Sequence, residues 1–233
     1  MIGIFDSGVG GLASLQELRK ISESADIVYL ADRKNAPYGT KSREELVSLV
    51  NSDIEALIAH GCEQVLIACC TASTVYGELS PRARCVATPI ISPAAFAAAK
   101  ITARGNIGVI ATEATVRSGA FKREIMRHAP VCRVTEIAAQ PLVALVESGA
   151  RDGALSCEGR KLLGRVLAPL CEAEIDTLIL GCTHFSHLDK EIRSILGNTV
   201  TTVLPSREGV AELIRKSGSR ALSGSGATVY IST

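Results

Sequence analysis

VLIACCT at residues 65–71 and LILGCT at 178–183, the latter followed by His184, are two copies of one phrase. Each is a run of leucine and β-branched residues that halts at Cys-Thr. A short apolar run bounded by a turn signal reads as a buried strand. A strand that stops there leaves its last side chain at the rim of a sheet, where ligands collect in open α/β folds. Two such rims facing one another would set two thiols on opposite sides of one small ligand. That arrangement suits proton exchange at a carbon atom.

The pattern extends in both directions. IGIFDSG at 2–8 resembles IGVIATE at 107–113, so each cysteine phrase is preceded by a similar strand-and-turn phrase. Strands are expected at Ile2–Phe5, Ile27–Leu30, Val65–Ala68, Cys85–Thr88, Ile107–Ile110, Arg133–Ile137, Thr177–Leu180, Val200–Leu204 and Thr228–Ile231, the last at a sheet edge. Their runs are apolar on both faces, as in parallel sheets covered by helices. Helices are expected at Leu12–Ile21, Glu44–His60, Ser118–His128, Pro141–Glu147, Gly159–Leu170, Leu188–Leu196 and Arg207–Lys216. Ser42 with Glu45 reads as a capping box and Gly61 as a stop signal. The alternation predicts an α/β chain of two similar three-layer halves with a central cleft. Thr88–Pro93, with two prolines, is the expected linker.

Composition narrows the function. The chain has 233 residues, 47% hydrophobic and only 3% aromatic, so its core must be aliphatic. Net charge is +1, from 25 basic and 24 acidic residues. No electrostatic case exists for nucleic acid or an anionic membrane as a partner. No apolar run is long enough to span a bilayer. The N-terminus reads as strand and turn, not a secretion signal, so the expected location is the cytoplasm. Eight cysteines and four histidines without a C-x-x-C pair indicate neither a zinc site nor a disulfide framework. No lysine sits in a recognisable pyridoxal-phosphate setting and no nicotinamide fingerprint is complete. The economical inference is chemistry without a cofactor or metal.

Side chains at the expected strand ends are the candidates for that chemistry. FDSGVGG at 5–11 ends a strand and opens a helix. Its glycines would let backbone amides approach an anion, or would simply form a tight turn capped by Asp6 or Ser7. Cys69 and Cys70 alternate in direction and cannot both face a cleft in the same way. The residues alone leave that choice open. Cys182 has Gly181 before it and Thr183 and His184 after it, and an imidazolium beside a thiol favours the thiolate. Asp32 follows a strand, and Tyr38 and Gly39 could present an O–H and a backbone N–H to a carboxylate. Thr112, Thr115 and Ser118 suit either a small anion or ordinary helix capping.

Six phrases in order, FDSGVGG at 5–11, APYGTKS at 36–42, IAC-x-TAS at 67–73, TEAT at 112–115, PLVALVE at 141–147 and LGCTH at 180–184, resemble the bacterial glutamate racemases of the aspartate/glutamate racemase superfamily over essentially the whole chain. The resemblance implies a discontinuous first α/β domain, 1–91 with 205–233, and a second at 92–204. It implies a cofactor-independent, two-base racemisation that supplies D-glutamate for peptidoglycan. Cys182 would deprotonate the L-substrate, assisted by His184 and Glu147. Cys69, assisted by Asp6, would deprotonate the D-substrate. Ser7, Asp32, Pro37, Tyr38, Gly39, Cys70, Thr71, Thr115 and Thr183 match substrate-binding positions. The implied partner is a small amino acid, with a homodimer as a common family assembly.

The sequence also departs from the family pattern. Cys70 stands where the family has a substrate-facing Asn, and a thiol is a weak donor. Losing such a charge-assisted bond costs roughly 1.5–3 kcal/mol. Ser92 replaces an acidic residue before Pro93, and Arg33, Lys34 and Asn35 make the approach to APYG more basic. The alternatives are therefore a racemase of aspartate or another small amino acid, a one-thiol decarboxylase of the superfamily, or a small-acid binding protein of the same fold.

Overall fold

Parallel strands cannot be joined by tight hairpins, so their crossovers must be long, and in this chain each connection between successive strands contains a helix. A computed structural model describes residues 1–150, 153–218 and 222–233. Residues 151–152 and 219–221, which fall inside the expected domain ranges, lie outside the described residues. The chain forms two compact units, Met1–Pro93 with Ser206–Thr233, and Ala94–Pro205.

The first unit contains strands β1 (Ile2–Asp6), β2 (Ile27–Ala31), β3 (Gln64–Ile67), β4 (Ala87–Pro89) and, from the chain end, β9 (Thr228–Ser232). All pairs are parallel, in the order β4-β3-β1-β2-β9. Every residue of β1 and β2 is buried, so both faces of the sheet centre are covered. The helices are α1 (Leu12–Ile21), α2 (Arg43–Ala59), α3 (Cys70–Ser73) and α4 (Pro81–Val86). Leu46, Val50, Ile54 and Leu57 of α2 join Phe5, Leu30, Val65 and Ile67 in one core. At the start of α2 the Ser42 hydroxyl accepts from the Glu45 N–H at 3.2 Å, and the Glu45 carboxylate accepts from the Ser42 N–H at 2.8 Å. At its end Gly61 takes φ +83°, a left-handed turn that glycine enters without a Cβ penalty.

The second unit has its own parallel sheet of β5 (Asn106–Ala111), β6 (Arg133–Ala138), β7 (Thr177–Gly181) and β8 (Thr201–Val203). The order is β6-β5-β7-β8. Read from the other edge, β5 to β8 take the places of β1 to β4 in the first sheet. The registers agree as well. Gly3 of β1 pairs with Val65, and Gly108 of β5 pairs with Leu178. Each glycine lies where a Cβ would press on leucine side chains, those of Leu57 and Leu170, at 3.1 Å. The helices here are α6 (Glu113–Ser118), α7 (Ala120–His128), α8 (Gln140–Glu147), α9 (Cys157–Glu172) and α10 (Asp189–Leu196). Helix α5 (Ile91–Ile101) contains the division after Pro93, and α11 (Pro205–Ser217) begins one residue before the return to the first unit.

Three expectations are corrected. Cys85 and Val86 belong to α4, not to a strand, because Ser80 caps that helix through the Ala83 N–H at 3.1 Å and Pro81 occupies its first turn. The expected linker at Thr88–Pro93 ends where the first unit gives way to the second, but it is made of the end of β4 and the start of α5, not of irregular chain. Pro89 is tolerated on an edge strand, and Pro93 lies in a first turn where its missing N–H has no partner to lose. The helix expected over Ser118–His128 is α7 and starts two residues later, at Ala120, because Gly119 at φ +60° separates it from the short helix α6, which ends at Ser118. The edge position expected for the last strand is observed at β9.

Candidate active site

In the first sheet the chain leaves β1 for β2 on one side and returns to β3 on the other. The crevice at such a reversal, beyond the strand carboxyl ends, is where open α/β sheets hold ligands. Asp6 and Ser7 stand there at the end of β1, and Cys69, Cys70 and Thr71 just beyond β3. Cys69 lies four residues after Val65, the partner of Gly3. In the second sheet the same reversal occurs at β5 and β7, and Cys182 lies four residues after Leu178, the partner of Gly108. The two cysteines therefore occupy equivalent positions in the two sheets, as the repeated phrase implies.

Their surroundings differ. The Cys69 thiol is 3.5 Å from the Ser7 hydroxyl and accepts from the Ala72 N–H at 3.5 Å, capping α3. Cys69 and Cys70 are both buried, and the contacts with Ser7 and Ala72 settle which way Cys69 turns. Burial, with a smaller contribution from the negative charge of Asp6, pushes the Cys69 thiol up to about 11. At neutral pH it carries its proton. Asp6 itself is 1% exposed and accepts from the Gly8 N–H at 2.9 Å. The glycine-rich turn thus holds Asp6, and the Gly8 amide is not offered to an anion. A Cβ on Gly11 would fall 2.5 Å from the Cβ of Asp6, so the turn wraps this carboxylate at a distance only glycine allows.

The second thiol belongs to a linear relay. Cys182 Sγ lies 3.6 Å from His184 Nδ1, and His184 Nε2 lies 3.5 Å from a Glu147 oxygen. A neutral imidazole that donates from Nε2 to the carboxylate accepts the thiol proton at Nδ1. The protonated ring donates to both partners. The Thr183–Leu188 3-10 turn makes this possible by placing His184 two residues beyond the thiol, and α8 brings up Glu147 at its last residue. The carboxylate is largely solvated, with its side chain 60% exposed against 14% for the histidine.

The remaining candidates fall into place unevenly. Thr71 and Thr183 are buried in the first turns beyond the two cysteines. Thr115 is buried and tied to Thr112, whose hydroxyl caps α6 and lies 2.8 Å from the Thr115 hydroxyl. Pro37 follows a cis peptide bond, and Gly39 lies in the 3-10 turn Tyr38–Thr40. The expectation that Tyr38 presents its O–H to a ligand is corrected. Its ring packs against Phe5 with centroids 6.0 Å apart, and its hydroxyl lies 2.7 Å from Asp32 and 2.9 Å from Asp53. The aromatic body is drawn into the core, so the part of this loop left to meet a ligand is backbone. Asp32, 0% exposed, is likewise internal, accepting from Asn35, Tyr38 and Thr233. Asp53 was missed in the sequence. Its signal was a single carboxylate on the stripe of α2 formed by Leu46, Val50, Ile54 and Leu57.

Among the described residues no group of three or more His, Cys, Asp or Glu is placed to hold a metal ion, and no helix is long and apolar enough to cross a membrane.

Comparisons with known proteins show the family to which this fold belongs. Residues 13–212 match the model of the Asp/Glu/Hydantoin racemase family. The chain is 40% identical over 206 residues to a glutamate racemase of Desulforudis audaxviator, covering 88% of this chain and 74% of the relative. It superposes on a glutamate racemase isoform from Bacillus anthracis with a TM-score of 0.88 at 31% identity, over 100% of this chain and 87% of the other. With the Francisella tularensis glutamate racemase, solved in complex with D-glutamate, the TM-score is 0.87 at 27% identity, over 99% and 86%. The chain belongs to the Asp/Glu/Hydantoin racemase family.

Proposed function

We propose that this protein interconverts L- and D-glutamate without a cofactor, with Cys69 and Cys182 as the two bases, and so supplies D-glutamate for peptidoglycan synthesis. The observation that carries the reading is the repeat: two cysteines at one register position of two sheets of the same order, one beside a hydroxyl and the other beside an imidazole. The glutamate racemase relatives support the choice of substrate.

In the L-to-D direction the Cys182 thiolate, formed when His184 takes the thiol proton, removes the α-proton of L-glutamate. The electron pair left on carbon delocalises into the α-carboxylate. Cys69 then gives its own proton to the opposite face, leaving D-glutamate, the Cys69 thiolate and the Cys182 thiol. A thiol pushed up to about 11 is well suited to hold that proton until the carbanion forms. In the reverse direction Cys69 is the base, and the substrate ammonium group offsets the negative charge of Asp6 that otherwise opposes the thiolate. Two bases are needed because one base reaches only one face of the α-carbon. Ser7, Thr71, Thr115 and Thr183, with the backbone at Pro37–Gly39, are the proposed substrate contacts. Cys70 occupies a contact position with a weak donor, which favours testing aspartate beside glutamate.

The test is α-deuterium uptake in D₂O from pure L- and pure D-glutamate, with circular dichroism following chirality. Exchange with loss of optical activity from both enantiomers is expected. A folded, reduced sample that neither exchanges nor racemises glutamate overturns the reading, and turnover of aspartate instead transfers it to the alternative substrate.

A further inference from the structure

The Tyr38 hydroxyl has one hydrogen and two carboxylate neighbours. Asp32 Oδ2 is 2.7 Å away and Asp53 Oδ2 is 2.9 Å away. All three side chains are buried, at 2% exposure for Tyr38, 0% for Asp32 and 6% for Asp53. A phenol can donate to only one of them. The second contact is a hydrogen bond only if that carboxyl is protonated and donates to the phenol oxygen. Two ionised carboxylates around one buried oxygen would leave one contact repulsive and desolvated.

The surroundings decide which acid holds the proton. Asp32 accepts two contacts at 3.0 Å from the Asn35 amide and a further bond from the Thr233 hydroxyl. Burial works against its charge, but the bonds from Thr233, Tyr38 and Asn35 prevail and hold it below the ordinary carboxylate range. For Asp53 burial is the largest influence and the Asp32 charge adds to it, and together they outweigh even a bond donated by Tyr38, whose one hydrogen is also claimed by Asp32. The result is pushed up to about 7. Other groups on the elements around α2 are turned elsewhere. Asp6 at the end of β1 holds the Gly8 amide, Cys69 at the head of α3 faces Ser7, and Arg82 of α4 pairs with Glu55 at 2.9 Å.

We propose that Asp53 is a positioning residue, a neutral acid that donates to Tyr38, which donates to Asp32, so that this chain of bonds fixes the Tyr38–Gly39 backbone where the substrate binds. The proposal rests on the racemase reading for its substrate. Its physical content is that α2, through Asp53, and the end of β2, through Asp32, clamp the loop from both sides by its one aromatic side chain. Loss of the Asp53 proton breaks the clamp, and substrate binding, rather than the chemical step, weakens.

The test compares Asp53→Asn with Asp53→Ala in the full chain. Asparagine keeps a donor toward the Tyr38 oxygen at every pH, and alanine removes it. At about pH 6 Asp53→Asn should match the wild type in KM for glutamate and in amide-exchange protection of residues 36–41. Asp53→Ala should raise KM by about three- to tenfold, the loss of one net hydrogen bond, with kcat within about twofold and protection reduced. At about pH 8.5 the wild type should move toward Asp53→Ala in both readouts while Asp53→Asn stays put. A wild-type to Asp53→Asn ratio that does not change with pH overturns the proposal. So does an Asp53→Asn variant as weak as Asp53→Ala at the lower pH. If the wild type fails to turn over glutamate, the racemase reading falls, and amide exchange still decides the role of Asp53.

Discussion

Replacing Asp6 by Asn should make Cys69 more reactive toward an alkylating agent while making the enzyme slower. Asparagine keeps an oxygen for the Gly8 N–H, now 2.9 Å from Asp6, so the turn survives and only the charge is lost. Cys69 stands at about 11 against an ordinary 9.0, and burial accounts for more of this rise than Asp6 does. Removing the charge should therefore bring the thiol part of the way back toward its ordinary value and raise its thiolate fraction. Nucleophilicity falls as a thiol becomes more acidic, which returns part of that gain, so the net increase in alkylation is about two- to threefold near pH 8. The assay is peptide-resolved iodoacetamide labelling. Cys62 is its internal reference, being buried in the same core and raised to about 11 by burial with no carboxylate involved. The resemblance to the racemase family also gives Asp6 an assisting role in proton transfer at Cys69, which an amide cannot perform, so racemisation should fall by about tenfold or more. Unchanged or slower labelling of Cys69, or an equal change at Cys62, would refute the electrostatic account.

Cys69→Ser and Cys182→Ser should each reduce racemisation by about 10²–10⁴-fold, as removal of one of two proton-transfer groups does, and a variant that keeps full racemisation removes that thiol from the mechanism. Glu147→Gln should cost at most about fivefold in kcat/KM, because an ion pair with a solvated carboxylate contributes only about 0.2–1 kcal/mol, whereas His184→Ala should cost much more; equal losses would show that Glu147 acts as a buried partner. Gly11→Ala should destabilise the fold by about 1–3 kcal/mol in urea unfolding and depress racemisation with it, since its Cβ would displace Asp6. A stable, fully active variant would contradict the close packing of that turn.

Much of the architecture was legible because its causes are local. Apolar runs four to six residues long mark the central strands, and the Ser42–Glu45 box and Gly61 bracket α2 as their capping chemistry requires. The echo between the two cysteine phrases also held. In each sheet a strand with an inward glycine, β1 or β5, pairs in the same register with the strand that ends at the rim cysteine, β3 or β7, because the packing demands on them are the same. The errors came where local signals competed. Prolines at 89 and 93 suggested a linker, yet an edge strand and a helical first turn both accept proline. Gly119 was hidden inside a stretch with helical periodicity.

The candidates for acid–base chemistry were visible as residue type and position: thiols at strand ends, Asp6 at the first turn, His184 two places beyond Cys182. What each side chain touches was not, because that is decided by packing across distant parts of the chain. The Tyr38 O–H is an example. In the sequence it stands in a polar loop and suggests a ligand contact. In the fold, burying the ring against Phe5 carries the hydroxyl to Asp32 and to Asp53, fifteen residues away on α2. Sequence alone determined two α/β repeats and the candidate residues at their strand ends, since strand period, helix capping and turn chemistry act over a few residues. Only tertiary structure gave the two carboxyls opposite surroundings, through the loss of water around Asp53 and the donors gathered around Asp32.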